Sequence, residues 1–130
     1  MSRHDDSVSL RQMLDHACEA VVMVQPYTRP DLNSNRMLTL ALLQLARIVG
    51  GAANRVSKAE RERHAEIPWG QIIGLRNRLV HGYDSINFDI LWQVLTVDLP
   101  ALIVMLEKIV PPDIHCRVCV LTPRARACPG

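Results

Sequence analysis

Three side chains in the stretch RNRLVHGYDSIN (76–87) could do chemistry together: Arg76, His81 and Tyr83. A guanidinium can grip two phosphoryl oxygens at once. An imidazole, with a reference pKa of about 6.5, can take or give a proton near neutral pH. Taken singly, a helical arginine is most often a surface ion pair, and a histidine most often packs or caps. Arg76 and His81 lie five residues apart, about 140° round a regular helix at 100° per residue. They converge only if the helix ends between them or a second chain completes the site. The spacing predicts a helix end at His81-Gly82, where the helix dipole favours a protonated imidazole. A cation beside an arginine makes a pocket for phosphate. These parts suit RNA cleavage in which the 2′-hydroxyl attacks the adjacent phosphorus, with no metal and no external nucleophile. Such an enzyme has only to move a proton and stabilise charge on the phosphoryl oxygens. Tyr83 on its own reads as a loop tyrosine that packs its ring and hydrogen-bonds its hydroxyl. Asn77, Arg78 and Asp84 flank the three as candidates for supporting roles.

Four predicted helices must position them. Leu10, Met13, Leu14, Ala17, Val21 and Val24 recur at three- and four-residue spacing over 5–24. Pro26 and Pro30 then bracket an expected loop. Asn33 or Ser34 could cap a second helix running to about Arg55. That helix is apolar nearly all round: Leu38, Leu42, Leu45 and Val49 form one face, and Leu40, Leu43 and Ala46 belong to others. Two apolar sides call for two partners, the chain's own bundle and a second protomer. Residues 56–66 alternate in charge and read as a solvated loop; Glu62 with Glu66 or His64 lacks anything to hold ligand geometry for a metal. Pro68 suits the first turn of a third helix packed through Ile72, Ile73, Leu75 and Leu79. A fourth starts near Asn87 or Phe88 and runs to Val110, burying Leu91, Trp92, Leu95, Leu99, Leu102, Leu106 and Ile109. Pro100 cannot donate to the carbonyl of Thr96, which predicts a kink or a split there. The expected fold is all-α, an up-and-down four-helix bundle.

Composition bounds the rest. The 130 residues, 48% apolar, suit one domain over 1–112. No uninterrupted run reaches the roughly 20 apolar residues of a spanning helix, and no secretory signal is visible at the N-terminus, so the expected location is cytoplasmic, with no membrane partner. Residues 1–113 hold all 13 acidic and 12 of the 15 basic residues. That balance excludes a broad basic footprint and points to a local site for any nucleic acid. Residues 113–130, without period, read as a basic, disordered tail. It carries Cys116, Cys119 and Cys128, which with His115 could make a zinc set but lack the paired-knuckle spacing. No disulfide is implied for these or for Cys18, and no cofactor is called for.

The stretch Arg76–Asn87 resembles the signature of the HEPN superfamily of ribonucleases, and most closely its HepT-like branch. RIVGGAANRVS looks like that family's second-helix segment, IPWGQIIGLRNRLVHGYDSIN its third helix and active loop, and LWQVLTVDLPALI its fourth. The resemblance implies a HEPN-like helical bundle, a homodimer with RNase sites at or near the interface, and catalysis by Arg76 and His81. It also implies the toxin role of HepT/MntA toxin–antitoxin pairs. The partner would be a cognate MntA-like nucleotidyltransferase antitoxin that modifies Tyr83 with AMP. Where the family commonly has Glu on the second helix, this chain has Gly51, after Gly50. That departure keeps a second role open: a non-catalytic, nucleotide- or substrate-binding subunit of a nucleotidyltransferase complex.

Overall fold

The apolar face read along the first helix is the one the protein buries. Leu10, Met13, Leu14, Ala17, Val21 and Val24 are all inaccessible on α1 (Asp6–Val24). This computed structural model describes residues 6–80 and 86–110, with Arg76 placed by its backbone alone. All regular structure among those residues is helical, so the fold is all-α.

The expected loop after Pro26 holds a short helix, α2 (Arg29–Ser34). Pro30 lies in its first turn, where the missing amide hydrogen costs nothing. The Asp31 carboxylate accepts from the Thr28 amide at 2.7 Å and the Thr28 hydroxyl at 3.1 Å. Asn35, rather than Asn33 or Ser34, caps α3 (Arg36–Arg55), its side chain accepting from the Leu38 amide at 3.0 Å. The helix runs unbroken through Gly50 and Gly51.

Leu38, Leu42, Leu43, Leu45, Ala46 and Val49 are all buried on α3, which packs against α1 and the short helices described below. Its second apolar side is therefore covered mostly within the chain. Met37, 80% exposed, and Leu40, 45% exposed, are what is left in solvent.

Residues 58–63 form α4 (Lys58–Arg63) in place of the expected loop. The Ser57 hydroxyl accepts from the Glu60 amide at 3.2 Å, and the Asp6 carboxylate accepts from the Ser57 amide and hydroxyl. A capped first turn thus stands in for the apolar face that α4 lacks. His64 pairs with Glu60 at 3.1 Å and not with Glu62 or Glu66.

The last helical stretch starts as α7 (Phe88–Gln93), capped by Asn87, passes through a π-helical turn (Val94–Asp98) and ends as α8 (Leu99–Glu107). The expected break at Pro100 takes the form of that wider turn. The Leu99 amide reaches back five residues to the Val94 carbonyl. A widened turn accommodates a ring that would otherwise meet the preceding turn's carbonyl. Leu91, Val94, Leu95, Leu99, Leu102, Ile103 and Leu106 close the core, with Trp92 and Ile109 at its margin.

By length and composition, 36–55 and 88–107 are each apolar enough to cross a membrane, although Gln44 and Arg47 interrupt the first. Both serve as core helices here. Cys18, buried on α1, is disulfide-bonded, contrary to the expectation from sequence.

Candidate active site

The segment carrying the predicted chemistry is held from below by a tryptophan and a glycine contact. Pro68 caps α5 (Trp69–Ile73). The Trp69 indole nitrogen donates to the carbonyls of Arg61 at 3.1 Å and His64 at 3.0 Å, tying α5 to the end of α4. Behind α5 lies Gly50 of α3. A Cβ placed on Gly50 would sit 2.9 Å from the Ile72 carbonyl oxygen and 3.8 Å from the Leu75 Cβ. Hydrogen at this position lets the two backbones touch.

Gly74 (φ −86°, ψ 8°) interrupts the third helix expected from sequence, and a separate turn, α6 (Leu75–Leu79), follows. Leu75 and Leu79, 2% and 0% exposed, anchor that turn in the core. Arg76, Asn77 and Arg78 are the residues between those anchors. The helix ends at Leu79, between Arg76 and His81, which is the condition their spacing required.

The chain beyond α6 is pinned at its base. Val80 and Ile86 form an isolated antiparallel bridge, and the Asn87 amide donates to the Leu79 carbonyl at 2.8 Å. The Asn87 side chain then accepts from the Ile90 amide at 3.0 Å and starts α7. One asparagine thus closes the loop base and launches the next helix. His81, Gly82, Tyr83, Asp84 and the side chain of Arg76 lie outside the described residues.

Of the supporting candidates, Asn77 is exposed. Arg78 is one-third exposed and reaches Asp98 at 3.4 Å, an ion pair between α6 and the π-helical turn. Asp98 was not singled out from sequence, because twenty residues separate it from Arg78 and no local period links them. Among the described residues, no group of three or more His, Cys, Asp or Glu side chains could hold a metal ion. The tail cysteines and His115 fall outside them.

A second feature also escaped the reading of α3 as apolar all round. Gln44, Arg47, Ile48, Gly51, Asn54 and Arg55 recur at helical spacing and line a groove of about 590 Å³ against Ile73 of α5. The signal was present: the polar residues in the body of α3 cluster on one stripe.

Comparison with known proteins bears on the same segment. A family model described as "Ribonuclease HepT-like" matches residues 12–109. A candidate RNase of Caldanaerobacter subterraneus is 30% identical over 107 residues, covering 79% of this chain and 96% of that protein. A candidate RNase of Methanocaldococcus jannaschii is 28% identical over 100 residues, covering 77% and 92%. "Probable ribonuclease HepT" of Thermococcus cleftensis is 26% identical over 105 residues, covering 78% and 96%. No solved structure gives a significant match. The matched span takes in α3, the α5–α6 junction and the segment between Val80 and Ile86, and the chain belongs to the HepT-like family of HEPN ribonucleases.

Proposed function

We propose that the protein is the toxin of a toxin–antitoxin pair, a metal-independent endoribonuclease acting in the cytoplasm as a homodimer. The observation that carries this reading is the end of α6 at Leu79, with the loop base closed by the Asn87–Leu79 hydrogen bond. Arg76 and His81 then need not diverge as they would on one continuous helix. In the reaction, the 2′-oxygen bonds to phosphorus as the bond from phosphorus to the 5′-oxygen breaks. The proton that leaves the 2′-hydroxyl balances the one the 5′-oxygen gains, and the His81 imidazole takes and returns it. Arg76 stabilises the negative charge on the non-bridging oxygens. The products are a 2′,3′-cyclic phosphate and a free 5′-hydroxyl.

The proposed antitoxin is an MntA-like nucleotidyltransferase. The Tyr83 hydroxyl attacks the α-phosphorus of ATP and pyrophosphate leaves. The resulting phosphodiester anion competes with RNA phosphate for Arg76 and His81. Induced expression should arrest growth, and His81→Ala should abolish the arrest. Tyr83→Phe should remain toxic and escape neutralisation, and intact mass should show no added AMP. Neutralisation of an unmodified wild-type chain would reject covalent silencing.

Gly51 favours a second reading, a nucleotide-binding subunit without nuclease activity. Among the described residues, a Cβ at Gly51, where the family commonly has Glu, would meet only Arg55 Nη1, at 3.9 Å. Micromolar nucleotide binding by a chain that cleaves no RNA would select this alternative.

A further inference from the structure

Along α3, Gln44, Arg47, Gly51, Asn54 and Arg55 share one stripe and, with Ile73 of α5, line the groove of about 590 Å³. No acidic residue occurs anywhere in α3, and among the described residues none lines this groove. Arg47 is exposed and, among the described residues, forms no ion pair. Arg55 donates from Nη2 to the Gln12 side-chain oxygen at 2.6 Å. That neutral partner orients the guanidinium without cancelling its charge. The other terminal nitrogen, Nη1, lies over Gly51, 3.9 Å from where a Cβ would stand. The two charges are eight residues apart, about 12 Å along the axis at 1.5 Å per residue. A short run of extended single strand covers that distance. The groove also reaches the site segment: Ile73 precedes Arg76 by three residues, and Leu75 packs over Gly50.

We infer that this groove seats the sugar–phosphate backbone of the RNA strand beside the scissile phosphate. Arg47 and Arg55 bind two backbone phosphates of that run, Asn54 and Gln44 offer hydrogen bonds to ribose or phosphate, and the bare floor at Gly51 admits the strand. This deepens the ribonuclease reading and rests on it for the identity of the ligand. It also explains how a chain without a broad basic surface holds a polyanion. Two uncompensated arginines beside the cleavage segment supply a local track.

The test uses the full-length protein and a fluorescent single-stranded oligonucleotide, 2′-O-methylated so that it cannot be cleaved. Binding is followed by anisotropy over a series of salt concentrations. Replacing both arginines (Arg47→Gln with Arg55→Gln) should weaken binding about tenfold or more at 0.1 M salt and flatten the slope of log K against log salt by roughly 1.4, at about 0.7 per phosphate contact. Gly51→Glu should weaken it similarly by placing an anion on the groove floor. Arg63→Gln, which removes one charge from α4, outside the residues that line the groove, should change affinity less than about twofold. An unchanged affinity and salt slope in the double variant, or no binding by the wild type, would overturn the inference. So would an equal loss with Arg63→Gln, or a change in molecular mass with RNA binding intact, which would make the groove an interface between copies. Groove-dependent binding by a wild type that cleaves no RNA would uphold the groove and reject the nuclease reading.

Discussion

Gly50 and Gly51 are neighbours on one helix with opposite requirements. At Gly50 a methyl group would be driven to 2.9 Å from the backbone oxygen of Ile72, and backbone cannot yield as a side-chain tip can. Gly50→Ala should therefore destabilise the fold by about 1–3 kcal/mol, as overpacking does. At Gly51 the nearest atom among the described residues would be a guanidinium nitrogen at 3.9 Å, an ordinary van der Waals contact. Gly51→Ala should stabilise by up to about 1 kcal/mol, the helix-propensity difference. Urea unfolding monitored by circular dichroism checks both, and equal effects of the same sign would refute the assignment. Sequence alone gives the pair one meaning, a loosened helix, because it does not show which of the two faces α5. The same limit hid Asp98, whose tie to Arg78 is made only by the tertiary fold. Arg76, His81 and Tyr83 could be proposed from sequence because their types and spacing are local.

At the scale of elements, periodicity located the long apolar helices and missed the short polar ones. The α1 face matched residue by residue; on the last helix Leu91, Leu95, Leu99, Leu102 and Leu106 are buried as expected, Trp92 and Ile109 only partly, and Val94 and Ile103 join the core. The α4 helix was missed for want of an apolar stripe. Its signal was instead Ser57 followed three residues later by Glu60, the sequence form of a helix start. Its last turn is held by the Trp69 indole from outside the segment. Ser57→Ala should cost about 1 kcal/mol, as loss of a helix cap does. The added loss of the Asp6 contact should leave Asp6→Ala and Ser57→Ala less than additive in a double-mutant cycle. Strict additivity would mean that the cap and the Asp6 contact act independently. The π-helical turn shows another limit. Pro100 announced a disturbance, but the way it was absorbed depended on keeping both Leu95 and Leu99 in the core.

For the whole molecule, the all-α class followed from helical spacing and from the resemblance around residues 76–87. The covering of α3 did not follow. Its second apolar side was expected to need another protomer, yet α1, α5 and α6 bury most of it. The proposed homodimer has a smaller apolar surface of this helix to use, Met37 and Leu40, three residues apart. Light scattering at micromolar concentration should give twice the chain mass. Leu40→Asp should reduce it to the single-chain value with helical content retained. A wild-type monomer, or a Leu40→Asp dimer, would move the interface elsewhere.

The central claim is that Arg76 and His81 cleave RNA without a metal. Its most direct measurement is cleavage of a defined single-stranded RNA by purified wild type, Arg76→Ala and His81→Ala in excess chelator, with product ends identified by mass spectrometry. The wild type should cleave and leave 2′,3′-cyclic phosphate ends, and each variant should lose about 10²-fold or more with circular dichroism unchanged. Cleavage that stops on chelation and returns with a divalent metal would contradict it, as would full activity in either variant.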